Sequence, residues 1–211
     1  MVAAGPVASP LIAALERTWA AIRAQHPDVP EVVILLGAGS PDSAAGTMTL
    51  GHFAGDRWQR WDGGSLLDVF IAGEGLDRGA RGVLGIALHE AAHEAATARQ
   101  IQDTSRQGRY HNVRYRRLAE EFGLAVEQVD RFGWSGTAVP DATAAAYAAE
   151  LEGLAGALMA WRRPEGRSAA RAGSNNGLAA RCGCGRRVRV SLATYRAGPI
   201  ICGVCGGRFT G

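Results

Sequence analysis

The stretch ALHEAAHEAATARQIQDTSRQGRYHNVRYRRLAEEFG, Ala87 to Gly123, decides how the chain is read. It holds three of the five histidines: His89, His93 and His111. His89 and His93 are four positions apart. On an α-helix such positions lie one turn apart on the same face. Two imidazoles so placed can reach one Zn²⁺ at about 2.0–2.1 Å. Glu90 completes the pattern H-E-x-x-H. A carboxylate there can take the proton of a water whose pKa the ion brings to about 7. The bland alternative is a pair of surface histidines on an alanine-rich helix. The clear helical period favours the metal reading: Leu84, Leu88, Ala91, Ala92 and Ala95 supply small apolar packing, and the alanines leave room for a cleft.

A catalytic zinc usually has three protein ligands and an open fourth position. The compact pattern H-E-x-x-H-x-x-G-x-x-H is excluded, because Ala96 and Arg99 stand where it needs glycine and histidine. His111 is the next candidate, with 17 residues between it and His93. It would begin a second helix after a loop that Gly108 lets turn back. Glu120 and Glu121, on that same helix, are rival third ligands. His26 reads as a surface residue at a helix end, and His52 as a strand residue.

Upstream, Ser9-Pro10 reads as a capped helix start, with Leu11, Leu15, Trp19 and Ile22 at helical spacing over residues 10–25. EVVILLG (31–37) reads as a buried strand and GAGSPDSAAG as a loop. TMTLGHFAG and LLDVFIAG read as further strands, with a strand fragment or turn between them. The histidine helix is expected from about Gly79 to Asp103. A second helix should run from His111 to Phe122, with Gly123 as its C-cap. VDRFGWSGTAV reads as irregular or a short hairpin. Asp141 would then cap one long helix with Ala146, Leu151, Leu154, Leu158 and Trp161 on one face.

The chain ends in a second motif. Cys182 and Cys184 form C-x-C, 17 residues follow, and Cys202 and Cys205 form C-x-x-C. The glycines around them allow tight knuckle turns. RRVRVSLATYRAGPII, between the pairs, alternates well enough for a hairpin. So small a module lacks an adequate apolar core, and a Cys₄ zinc would supply the missing stability. Disulfides or free thiols are the alternative, disfavoured in a reducing compartment.

Charge separates the two parts. Residues 1–161 carry 13 arginines and 19 acids; residues 162–211 carry 10 arginines and one acid. The chain has no lysine. A basic tail on an acidic body suits a polyanion. Arg181, Arg186, Arg187 and Arg189 stud the cysteine module, which fits sequence-independent phosphate contacts. Tyr195 and Phe209 are too few to support base stacking. No apolar run is long enough to span a membrane. The N-terminus does not read as a signal peptide, so a cytoplasmic protein is expected. Nothing indicates an oligomer.

VFIAGEGL, GVLGIALHEAAHEAA and GRYHNVRYRRLAEEFGL together resemble the SprT-like metallopeptidase family, some of whose members degrade proteins crosslinked to DNA. The resemblance covers roughly residues 10–125 and 180–211, and leaves residues 125–161 outside it. It implies His89, His93 and His111 as metal ligands, Glu90 as catalytic base, and a terminal zinc ribbon.

The expectation is therefore an α+β fold. A zincin-like domain, a small sheet plus the H-E-x-x-H helix, would be followed by a long helix, the whole over 1–161. A basic flexible linker (162–177) would lead to a Cys₄ zinc ribbon (178–211). One catalytic and one structural zinc would serve a metalloendopeptidase acting on DNA-associated or DNA-crosslinked proteins. Tyr110, Tyr115 or Arg114 could stabilise the oxyanion. The alternative is a non-catalytic DNA-binding or regulatory protein in which both metals are structural.

Overall fold

Helix α1 (Ala8–Gln25) buries Leu11, Leu15, Trp19 and Ile22 along one stripe. The buried Thr18 hydroxyl donates to the Ala14 carbonyl at 2.9 Å, so it costs the core nothing. The helix starts at Ala8, before the expected Ser9 cap. Pro10 is tolerated inside because the first turn's N–H groups have no intrahelical acceptors. The computed structural model describes residues 5–42, 47–49, 51–106, 108–164 and 177–211, which fall into two compact units, Met1–Pro164 and Glu165–Gly211.

In the first unit, β1 (Val32–Gly37) is followed by β2 (Ser40–Asp42), β3 (Thr47–Thr49), β4 (Gly51–Gln59) and β5 (Ser65–Ala72). β2 and β3 form an antiparallel pair; β2 lies within the stretch that the sequence presents as a loop, and β3 within TMTLGHFAG, expected as a strand. The main sheet has the order β1-β5-β4, with β1 parallel and β4 antiparallel to β5. Central β5 buries Val69, Ile71 and Ala72. Among the described residues β1 has a neighbour on one side only, and it stays half-buried, which corrects its reading as a buried strand.

A 3₁₀ turn (Gly73–Arg78) leads into α2 (Gly79–Ala98). From Val83 to Ala96 nearly every side chain of α2 is buried, so it is the central helix of the unit. Ala91, Ala92 and Ala95 are filled against the core rather than lining a cleft. The helix ends five residues before Asp103. Gln100 takes φ +55°, and the N–H of Ile101 donates back to the Ala96 carbonyl.

Next come β6 (Thr104–Ser105), β7 (Tyr110–His111), α3 (Val113–Glu121), β8 (Ala125–Val129) and β9 (Gly133–Ala138), forming a sheet of order β6-β7-β9-β8. Asn112 is the N-cap of α3; its side-chain oxygen accepts from the N–H groups of Arg114 and Tyr115. His111 therefore lies on a strand, not at the start of a helix. Gly123 closes α3 at φ +78°, where a Cβ would be strained.

The expected single long helix is two: α4 (Asp141–Ala146) and α5 (Ala148–Ala157). The break at Tyr147 lets that ring enter the core, and Trp161 lies beyond both helices, exposed. α5 packs on α1 and α2, burying Leu154 completely. The Arg162 N–H then donates to the Gly73 carbonyl, and its guanidinium meets buried Glu74, which also accepts from the Gly39 N–H. The chain is thus held to the first unit as far as these contacts reach. Most of the expected flexible linker, residues 165–176, lies outside the described residues.

In the second unit β10 (Leu178–Arg181) pairs antiparallel with β11 (Arg187–Val190), and α6 (Leu192–Ala197) follows. The segment between the cysteine pairs is thus a strand and a short helix, not a hairpin of its own. Ser191 caps α6, accepting from the Thr194 N–H at 3.0 Å. The core is small: Ala180, Cys182, Cys202 and Phe209. The chain as a whole is α+β.

Candidate metal centres

His89 and His93 project from one face of α2, and His111 from β7. Their ligand atoms all lie within 4.8 Å of one another. What turns three imidazoles inward is the hydrogen bond each makes through its other nitrogen. His93 Nδ1 is 2.5 Å from Asp103 Oδ2. His111 Nδ1 lies 3.3 Å from the Phe132 carbonyl oxygen, and His89 Nδ1 lies 3.2 Å from Thr137 Oγ1. A carboxylate and a carbonyl can only accept, so Nδ1 of His93 and of His111 carries a proton and Nε2 is the nitrogen turned to the centre.

His93 Nε2 and His111 Nε2 are 3.1 Å apart. Two ligands at about 2.0–2.1 Å from a tetrahedral ion stand roughly 3.3–3.4 Å apart, so the spacing suits zinc. Burial, then His93 and His111, holds His89 well below the usual imidazole range. Burial, then His93, lowers His111 to about 4. Both rings are neutral at physiological pH, and protons do not compete with a metal there.

Glu90 is buried and has no hydrogen-bond partner among the described residues. Burial lifts its carboxyl to about 7; His93 opposes the shift and Asp103 adds to it. The rival ligands are occupied elsewhere. Glu121 holds Arg99 in a bidentate pair at 2.7 and 2.9 Å, and Glu120 pairs with Arg116 at 2.8 Å.

Tyr115 is fully buried, its ring 4.5 Å from His93 and His111 and 4.9 Å from His89. It stacks on His93 at 28°. It is an aromatic floor under the histidines, and burial, then Glu90 and Asp103, keeps its phenol protonated. Tyr110 is half-buried under the Arg106 guanidinium, and Arg114 lines a cavity that none of the histidines borders. His26, expected at the surface, stacks on Phe122 at 3.8 Å.

Three contributors escaped the sequence reading: Asp103, Thr137 and the Phe132 carbonyl. The sequence puts Asp103 at the end of the histidine helix, and Phe132 and Thr137 fall in a stretch outside the family resemblance. A partner that acts through a backbone carbonyl leaves no side-chain signature at all.

Behind the site, Glu94 is fully buried and neither carboxylate oxygen has a hydrogen-bond partner among the described residues. Burial, then Glu90 and Asp68, lifts it to about 8. Asp68 accepts from the Trp58 indole N–H at 3.2 Å, with its other oxygen unpartnered among the described residues.

In the second unit, Cys182, Cys184, Cys202 and Cys205 are unoxidised and gathered within 4.8 Å. Cys182 and Cys205 sulfurs are 3.2 Å apart, and those of Cys184 and Cys202 are 3.8 Å apart. Tetrahedral zinc at about 2.3 Å from each sulfur sets them roughly 3.8 Å apart, the separation of Cys184 and Cys202, while Cys182 and Cys205 stand closer. Each pair sits on a turn closed by glycine: Gly185 N–H donates to the Cys182 carbonyl, and Gly206 N–H to that of Cys202. The N–H groups of Val204 and Cys205 pull the Cys202 thiol down to about 6.

Arg181, Arg186, Arg187 and Arg189 are exposed. Arg181 stands opposite Arg187 in the β10–β11 register, and Arg189 follows two positions on, so these three share one face of the hairpin. Arg186 instead turns a guanidinium nitrogen to Cys202, 4.0 Å from its sulfur.

No known protein family, curated protein or solved structure matches the chain. Among the described residues, no helix is long and apolar enough to cross a membrane.

Proposed function

We propose that the chain is a zinc-dependent peptidase of SprT-like type, acting on DNA-associated or DNA-crosslinked proteins. The observation that carries the reading is a buried carboxylate, Glu90, without a hydrogen-bond partner among the described residues, beside three imidazoles whose outer nitrogens are each held. A purely structural metal site needs the imidazoles but has no use for an unpartnered base. His89, His93 and His111 would hold the ion, which when bound supplies Lewis acidity toward a water and a peptide carbonyl. Glu90 accepts the proton of the attacking water and returns it to the leaving amine; a carboxyl near neutrality suits both transfers. Asp103, Thr137 and the Phe132 carbonyl keep the imidazoles aimed, and Tyr115 shuts water out beneath them.

DNA enters through the second unit. Arg181 and Arg187 stand directly opposite each other on one hairpin face, and like charges so placed repel unless a polyanion meets them. Cys182, Cys184, Cys202 and Cys205 would hold the structural ion that keeps this face rigid.

The test is cleavage of a DNA-bound protein, with and without single-stranded DNA, by the wild type and by Glu90→Gln, with zinc counted in each. Glu90→Gln should keep two zinc ions per chain and lose roughly 10²–10⁴-fold in rate. Wild-type cleavage by Glu90→Gln would end the hydrolase reading. Absence of cleavage by the wild type would instead favour a non-catalytic zinc protein.

A further inference from the structure

A cavity of about 380 Å³ opens beside α3, lined by Arg99, Gln100, Arg114, Arg117 and Glu121 with Ile101 and Leu118. Its arginines are not alike. Arg99 is fixed: its Nε donates to Asp28 at 2.5 Å and its two terminal nitrogens grip Glu121. Arg116, on the other side of α3, is also engaged, pairing with Glu120 and lying over the Trp134 ring. Arg114 and Arg117 are three apart and so share a helix face. Neither guanidinium has an ion-pair or hydrogen-bond partner among the described residues.

The charges can be summed. Arg99, Arg114 and Arg117 against Asp28 and Glu121 leave one positive charge. The first unit is acidic overall, but distant acids are screened beyond about 8 Å at physiological salt. One local positive charge and about ten unused N–H donors ask for a monoanion rich in acceptor oxygens. A phosphodiester is such a group: one charge, two free oxygens and two ester oxygens. The wall is also built rather than loose, since Gln100 is held at φ +55° by the N–H groups of residues 100 and 101 donating back into α2.

We infer that Arg114 and Arg117 form a phosphodiester-binding site on the first unit, taking a backbone phosphate of a nucleic-acid strand. A nucleic acid is favoured over an acidic peptide because the second unit of the same chain already presents an arginine face. To that extent the inference rests on the DNA reading above, but it needs neither Glu90 nor peptidase activity.

The experiment is fluorescence anisotropy of a labelled single-stranded oligonucleotide against the zinc-loaded full chain, repeated across a salt series. Arg114→Ala/Arg117→Ala should weaken binding roughly tenfold or more, as expected for charge-assisted hydrogen bonds. It should also reduce the slope of log K on log salt by about 0.7 for the lost phosphate contact. Zinc content and melting temperature should be unchanged, since both side chains are exposed. Arg116→Ala, whose guanidinium is already partnered, should bind like the wild type. If Arg114→Ala/Arg117→Ala binds as the wild type while Arg187→Ala/Arg189→Ala does not, the pocket site is wrong and the DNA reading survives. If the wild type binds no oligonucleotide, both fail. If a labelled polyglutamate peptide binds instead and depends on Arg114 and Arg117, the site is for acidic protein and the inference is overturned.

Discussion

Replacing Asp103 should weaken one zinc ion and spare the other. The Asp103 carboxylate lies 2.5 Å from His93 Nδ1, and the two side chains are only 13% and 10% exposed. Outer partners of this kind raise ligand basicity and fix the ring, and their loss typically costs 10–100-fold in metal affinity. That range corresponds to about 1.4–2.7 kcal/mol. Asp103→Asn keeps an acceptor oxygen but removes the charge, so it belongs near the lower end. Asp103→Ala also strands a buried N–H and belongs near the upper end. The backbone should hold, because the Asp103 carbonyl accepts from the Asn112 N–H whatever the side chain. Thr137→Val removes a longer, neutral contact at 3.2 Å and should cost less than either. The assay is competitive chelator titration of the full chain carrying two zinc ions, scored as two separate release steps. One step should shift in the order Asp103→Ala, Asp103→Asn, Thr137→Val, and the second should stay fixed. Wild-type release from Asp103→Ala would refute the argument that His93 is held by its Nδ1 partner.

Other perturbations test the fold around the centres. Leu154→Ala empties a fully buried position between α5 and its neighbours and should cost about 2–5 kcal/mol, read by urea unfolding of the first unit. Glu94 is held above its unfolded range, to about 8. A carboxyl so raised favours the folded state only while protonated, so stability should fall as pH rises from about 4.5 to about 8, and Glu94→Gln should flatten that slope. Glu74 behaves oppositely. Burial pushes its carboxyl up, but the N–H of Gly39, its own N–H and Arg162 together bring it below the usual range. Its contribution should be present near neutrality and lost as pH falls through that lowered value; Arg162→Ala should remove about 1–3 kcal/mol of it, measured as the difference in unfolding free energy at pH 7. Stripping zinc should unfold the second unit, whose core is four side chains, and the loss should appear as collapse of its amide protection in hydrogen exchange.

The parts of the two centres that sequence could reveal are those encoded by periodicity. His89, Glu90 and His93 follow from the turn of one helix, and the four cysteines from their spacing. His111 was reachable only as the next histidine, and its placement at the head of a helix was wrong. Asn112 caps α3, which leaves His111 on a two-residue strand, and strands so short carry no alternating pattern to read. The break at Tyr147 was invisible for the converse reason. The residues around it are alanine-rich and favour helix throughout, and only the burial of the Tyr147 ring explains why the chain bends there. Asp103 was lost because Gln100 ends α2 in a left-handed conformation that its side chain does not advertise.

Residues 125–161, which lie outside the family resemblance, turn out to be where the histidine centre is completed. Phe132 precedes β9 and Thr137 lies on it, so two of the three outer contacts come from this segment. β9 also pairs with β7 at His111 itself, opposite Gly133. The same segment supplies α5, which covers the far side of α2. The centre is therefore not a helix motif with a borrowed third ligand. It is a junction of α2, β7 and β9, with Asp103 reaching in from the loop between them. His93 on α2 and His111 on β7 bring their Nε2 atoms to 3.1 Å across this junction. An ion held by His89, His93 and His111 would therefore bridge α2 and the β7–β9 sheet. Its binding and the docking of this sheet on the central helix would then be thermodynamically linked, so that a change at either would weaken the other.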